Sequence, residues 1–198
     1  MSIGRKAQQS ESTRAELIAV ARKMFAERGY ADTPTEELVQ AAGMTRGALY
    51  HHFKDKKALF HAVFEAVEID LITRTGAAMD PTTDAWTNLQ RGISAFLDAC
   101  LEPDVQQIGL IDAPSVLGYE AWKEVEEKYG LAAVSAGLAA SMAQGYIAQQ
   151  ALTPLAHLLL AALNEAGLMI ARAPNRAAAR EEVGAALLRV LEGLRAKP

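Results

Sequence analysis

Residues 45–56, TRGALYHHFKDK, gather one arginine, one tyrosine, two histidines, two lysines and a threonine. This set suits recognition of a polyanion better than bond-breaking chemistry. Arg46 can give guanine O6 and N7 two parallel N–H donors, and Gly47 lets a base or backbone come close. Thr45 and His51 complete a candidate base-reading set. Tyr50, Thr33 and Thr35 can reach phosphate through hydroxyls, His52 can donate, and Lys54 and Lys56 add charge. For Lys54, as for Lys57, simple solvation is an equal alternative. As metal ligands, His51 and His52 would point about 100° apart on a helix, and neither HExxH nor cysteine ligands accompany them. GxSxG, P-loop and dinucleotide glycine motifs are also missing from the sequence, so an enzyme is not expected. No residue is assigned as catalytic, metal-binding or cofactor-binding.

A helix as short as residues 45–52 is marginal alone in water, so it needs a scaffold. Thr33 and Glu36 have the spacing of a capping box, with Pro34 at the first helical position. They predict a bracing helix that ends at Gly43, with Met44 as an apolar plug. Thr45 should cap the next helix, anchored by Leu49, and Asp55 the one after. Two short helices with a tight turn form a helix-turn-helix, whose first helix braces the second in a major groove. Residues 13–28 place Leu17, Ala21, Met24 and Phe25 at helical spacing before Gly29. Residues 1–11, carrying Arg5 and Lys6, are expected to be a mobile arm, either plainly disordered or following a DNA backbone.

From Lys56 to about Thr75 a longer helix carries Leu59, Phe60, Val63, Phe64, Val67, Leu71 and Ile72 on one stripe. After a break at residues 76–83, helices are expected over residues 84–101, 104–112, 120–142 (kinked near Gly130), 153–171 (opened by Thr153 and Pro154) and 176–194. Pro103, the Ala113-Pro114 step and Pro174 separate them, and no strand-like alternation or internal repeat occurs. The expected class is all-α, about nine helices in total.

With 198 residues, 51% of them apolar, the chain can bury a sizeable core. Its net charge of −4 conceals an asymmetry: residues 1–60 sum to +3 and the remainder to −7, which keeps attraction for nucleic acid local. The lone cysteine, Cys100, excludes an internal disulfide. It reads as a small apolar core residue, with a redox sensor as the alternative. The N-terminus carries no apolar signal region, and His157, Asn164 and Glu165 interrupt the greasiest run, which reads as a buried helix. A cytoplasmic protein with no membrane partner is expected.

The order T-x-x-E-x-L-x-x-A-A-G-M-T-R-G-A-L-Y-H-H-F-x-x-K-x-x-L, within a segment from about Thr13 to Leu59, resembles the DNA-binding domain of the tetracycline-repressor (TetR) family of transcriptional regulators. AGMTRGALYHHFKDKKAL is its most specific part. The resemblance implies that residues 45–52 form the recognition helix, that Tyr50 and Lys56 contact phosphate, and that Phe53 packs. It also implies a DNA-binding domain over residues 1–58, with the helix-turn-helix at about 34–53. An effector-binding and dimerisation domain would then occupy residues 59–198. Two positions depart from the family: Pro34 stands where Thr or Ser is common, so Thr33 or Thr35 would substitute, and Val39 replaces a common alanine.

Double-stranded operator DNA, a small-molecule effector and a second copy of the chain are the implied partners. The helix over residues 154–171 is apolar nearly all round. With the last helix, it offers Leu155, Leu158, Leu159, Ala162, Leu163, Val183, Leu187, Val190, Leu191 and Leu194 to an isologous four-helix interface. The alternative buries both helices within one monomer. Candidate pocket residues are Phe64, Trp86, Phe96, Cys100, Ile108, Ile111, Tyr119 and Trp122, with Asp112 as a polar anchor. Ordinary core packing is the competing reading for each.

Overall fold

The computed structural model describes the backbone of residues 2–196 and the side chains of residues 7–196. Among the described residues there are nine helices and no strand, only an antiparallel bridge between Ile147 and Arg195. They are α1 (Ser2–Arg28), α2 (Thr35–Ala41), α3 (Arg46–His52), α4 (Lys56–Ala77) and α5 (Ala85–Ala99). α6 joins a π-helical Val105–Asp112 to an α-helical Ala113–Leu117. α7 runs through Tyr119–Glu126, a π-helical Glu127–Leu131 and Ala132–Ala143. α8 (Leu152–Arg172) and α9 (Arg176–Glu192) complete the chain.

The caps follow local chemistry. Thr45 Oγ1 accepts from Ala48 N at 3.2 Å, Asp55 Oδ1 from Ala58 N at 2.7 Å, and Asn175 Oδ1 from Ala178 N at 3.1 Å. Gly43, at φ +62°, makes the helix-turn-helix corner, a left-handed position that a side chain would strain.

Four expectations need correcting. The arm expected at residues 1–11 is helical from Ser2: residues 7–12 hold no breaker, and Thr13 Oγ1 bonds back to the Gln9 carbonyl at 2.9 Å. The side chains of Arg5 and Lys6 lie outside the described residues. The capping box at Thr33 does not form, since Pro34 is the N-cap residue and makes no side-chain cap. The Ala113-Pro114 step does not break α6. A missing N–H is tolerated in the first turn of its α-helical part, and the chain turns instead at Gly118, φ +84°. Finally, α8 starts at Leu152 without a side-chain cap, not at Thr153-Pro154.

One continuous core runs from Leu17 to Leu191, with α4 as its spine. At the N-terminal end, Leu17, Ala21 and Phe25 of α1 pack with Leu38, Leu49, Leu59, Phe60 and Val63, all essentially inaccessible. At the other end α4 meets α5, α6 and α7, and α8 lies against α5, α6, α7 and α9. α8 is long and apolar enough to cross a membrane by length and composition alone, yet a large share of it is buried inside the protein.

Polar struts brace the spine. Arg22 of α1 donates to Asp70 of α4 at 2.9 Å and to Asp104 ahead of α6 at 2.5 Å. Arg74 holds Glu102 through both carboxylate oxygens at 2.6 Å. These pairs are partly exposed, so their worth is geometric more than energetic.

Candidate nucleic-acid interface and internal cavity

α3 is held from one side only. It packs on α2, and Leu49 is its fully buried anchor. Thr45, Arg46, Gly47, Tyr50 and His51 are therefore left exposed, in keeping with the face that the spacing predicts, while His52 is half-buried. Arg46 Nη1 lies 3.0 Å from Glu36 Oε1, and its guanidinium sits over the Tyr50 ring at 5.7 Å. Both partners are exposed, so this pairing can be exchanged for a guanine or a phosphate at little cost. Lys54 and Lys57 are exposed and Thr35 half-buried.

Two of the phosphate candidates are already committed. Thr33 is 0% exposed, and its hydroxyl donates to the Gly29 carbonyl at 2.7 Å, so it closes the end of α1 and cannot reach a phosphate. Lys56 is half-buried: Nζ donates to the Tyr30 carbonyl at 2.5 Å and rests 4.1 Å above the Tyr30 ring. Burial holds this ammonium below its ordinary range, against the pull of Asp112 and Asp32. The other side of the Tyr30 peptide is also held, its N–H donating to Asp112 Oδ2 at 2.7 Å. Tyr30, between α1 and α2, is thus clamped by α4 through its carbonyl and by α6 through its amide. Asp112 is accordingly a strut and not the polar anchor of a pocket.

Further along α4, a cavity of about 300 Å³ opens between α4, α5, α6, α7 and α8. Of the expected lining residues only Phe96 and Trp122 border it. Phe64, Cys100 and Ile108 are at 0% exposure and belong to the solid core, as does Trp86 at 4%. Ile111 and Tyr119 instead face outward, at 40% and 65% exposure. Burial, with Glu68 nearby, pushes the Cys100 thiol up to about 12, so it is held as an unreactive thiol.

The lining is mostly aliphatic, with Leu71, Ile72, Ile93, Leu110 and Leu163 among it, and small residues Gly92, Gly109, Gly130 and Gly137 leave the room. Both π-helical segments border this space, through Val105 and Gly109 in α6 and Gly130 in α7. Four polar side chains also line it: Glu68, Glu126, Asn164 and Thr75, whose hydroxyl donates to the Ile72 carbonyl at 3.0 Å. Sequence reasoning missed all four. Glu68 had left a signal, as a carboxylate four residues from both Phe64 and Ile72 on the apolar stripe of α4. Asn164 had one too, as an amide in an otherwise greasy run.

On α8 and α9, four of the expected interface residues point inward: Leu159, Leu163, Leu187 and Leu191 are all under 8% exposed. A helix that is apolar all round gives no period from which to choose its outer face. Leu158, Met169 and Val190 are the large apolar side chains left exposed there, with Leu155, Ala162, Val183 and Leu194 half-buried beside them.

Comparison with known proteins accounts for both ends of the chain. The family model for bacterial regulatory proteins of the tetR family matches residues 17–63, and that for the tetracyclin repressor-like C-terminal domain matches residues 86–194. The HTH-type transcriptional regulator AcrR of Shigella flexneri is 41% identical over 64 residues, 32% of this chain and 30% of that protein. The transposon Tn10 TetC protein of Escherichia coli is 30% identical over 119 residues, 59% of this chain and 57% of TetC. The matched stretches thus span less than two thirds of these curated relatives. A crystal structure of a TetR-family transcriptional regulator from Pectobacterium atrosepticum is similar over 96% of this chain and 98% of its own, at 38% identity and a TM-score of 0.86. The chain belongs to the TetR family of DNA-binding transcriptional regulators.

Proposed function

We propose that the protein is a cytoplasmic homodimeric repressor that releases a near-palindromic operator when a small, mostly apolar ligand enters the cavity. The observation that carries this reading is the reach of α4. Lys56, in its first turn, holds the Tyr30 peptide beside the helix-turn-helix, while Glu68, Leu71, Ile72 and Thr75 of the same helix line the cavity. A ligand that fits only one tilt of α4 would bias the position of α3. Two states of unequal ligand affinity suffice for release. In this reading residues 1–58 form the reading head and residues 59–198 the sensing and dimerising body. The outer face of α8 and α9, with Leu158, Met169 and Val190 exposed, would meet its symmetry mate. A regulator or activator controlled by a partner protein is the alternative; the cavity favours a small molecule.

On the DNA, Thr45, Arg46, Gly47 and His51 would face base edges, and Thr35, Tyr50, His52 and Lys54 the phosphates. Selection of bound duplexes from random DNA should return a two-fold symmetric site. Arg46→Ala should weaken that site by roughly tenfold or more and relax the preference at one base pair in each half, as read by fluorescence anisotropy on the selected duplex and its point variants. If Arg46→Ala leaves both affinity and base preference unchanged, α3 does not read DNA in this way.

A further inference from the structure

The cavity's polar groups are unevenly satisfied. Glu126 is 6% exposed; Oε1 accepts from Asn164 Nδ2 at 2.5 Å, while Oε2 is buried with no hydrogen-bond donor. The nearest cation to Oε2 is Lys123 Nζ at 3.7 Å, one turn away on α7 and outside the lining. Glu68 enters from α4, its Oε1 facing Gly109 of α6, where a Cβ would lie 4.0 Å away, an ordinary contact. Burial and the neighbouring Glu126 push its carboxyl up to about 8, and no donor or cation pulls it back. Among the described residues, no Lys, Arg or His lines the cavity. Two carboxyl groups therefore border a largely apolar space, and one of their oxygens, Glu126 Oε2, has no hydrogen-bond donor. In a protein interior an orphaned buried acceptor costs free energy that a bound group can recover.

We propose that this cavity takes an organic monocation, an amine or quaternary ammonium on a largely apolar skeleton, its charged head seated between Glu68 and Glu126. The inference rests on the ligand-sensing reading above and names the class of ligand. An organic anion would meet two acids and no base in the lining, Lys123 lying outside it beside Glu126. A neutral alcohol could donate one hydrogen bond, but would leave the two carboxyl groups facing each other. A cation sets positive charge against Oε2, favours the ionised form of Glu68, and can rest on the faces of Phe96 or Trp122. At about 30 Å³ per water the cavity holds the volume of roughly ten waters, which suits a ligand of one ring and a short tail. Proton balance is simple. Near neutral pH the neutral Glu68 gives its proton to solvent, and the resulting carboxylate pairs with the ammonium.

Titration calorimetry on the full chain without DNA tests this, with benzyltrimethylammonium, 2-phenylethanol and phenylacetate as probes. The quaternary ion cannot itself lose a proton, so proton release, read by repeating the titration in buffers of different ionisation enthalpy, reports the cavity carboxyls, Glu68 foremost. The ammonium should bind at least about tenfold more tightly than the other two and release a fraction of a proton at pH 7. Glu68→Gln should weaken the ammonium about tenfold, remove most of the release and leave phenylethanol within a few-fold; Glu126→Gln should also weaken the ammonium. The assignment is overturned if phenylacetate or phenylethanol binds as tightly, if the ammonium does not bind, or if both variants bind it like the parent protein. A separate arm uses the selected operator: binding of the ammonium without DNA release would sink the ligand-released reading alone. Release by phenylacetate but not by the ammonium would sink the ligand class alone.

Discussion

Phe60→Ala should destabilise the protein by about 3–5 kcal/mol, the usual range for deleting a buried aromatic ring. Phe60 sits in the first turns of α4 at 0% exposure. Its ring meets Phe25 edge-on at 5.3 Å and Tyr30 edge-on at 5.1 Å, and Phe25 and Tyr30 touch each other at 5.8 Å. These three rings form the seam between α1 and α4, directly beneath the Tyr30 peptide that Lys56 and Asp112 clamp. Removing the central ring leaves a void lined by two aromatics whose positions are fixed by helices on either side, so collapse is restricted and the cost falls toward the upper end. Urea denaturation at fixed protein concentration measures it, concentration being held because assembly would shift apparent stability. Tyr119→Ala, at 65% exposure, is the control and should stay within about 0.5 kcal/mol. A loss below about 1 kcal/mol for Phe60→Ala would mean that the seam repacks and that α4 is not rigidly tied to the head.

The head was legible because its signals are local. Thr45 and Asp55 cap the helices that their side chains can reach, Gly29 and Gly43 take the left-handed positions where helices stop, and Leu49 is the one large apolar side chain of α3. Thr33 shows where local reasoning fails. A threonine hydroxyl can accept from the helix that follows or donate to the carbonyls of the helix that precedes, and both choices have the right spacing. The buried position beneath the end of α1 decides for the second. The cavity was hardly legible at all, since it is defined by what is missing. Glycines at 92, 109, 130 and 137 leave space only because five helices converge there, and of the five aromatic candidates only Phe96 and Trp122 border it, Phe64 and Trp86 filling solid core and Tyr119 facing outward. Both π-helical segments depend on tertiary fit and gave no pattern in the sequence.

Glu68→Gln should stabilise the protein without ligand, and the gain should grow with pH. In the unfolded chain this carboxyl titrates near 4.5; in the fold, burial and then Glu126 push it up to about 8. Between those values the unfolded state has lost a proton that the folded state keeps, so stability falls as pH rises through the window and levels off above it. Glutamine fills the same volume and titrates nothing. The difference between variant and parent should therefore be small at pH 4.5 and reach on the order of 3 kcal/mol by pH 8, less than the linkage maximum because the cavity admits solvent. Of the other groups facing Glu68, Glu126 is also raised by burial, which adds a slope of the same sign to both proteins. Lys123 opposes that slope, and Cys100 titrates well above the window. Thermal melts from pH 4.5 to 8.5 give the comparison directly. An equal pH dependence in the two proteins would place Glu68 in ordinary contact with water. The expected divergence would show instead that the native fold carries a destabilising carboxyl at the mid-length of its longest internal strut. Such a group is readily replaced by an apolar residue of similar size, and its presence is economical only if something with positive charge comes to neutralise it.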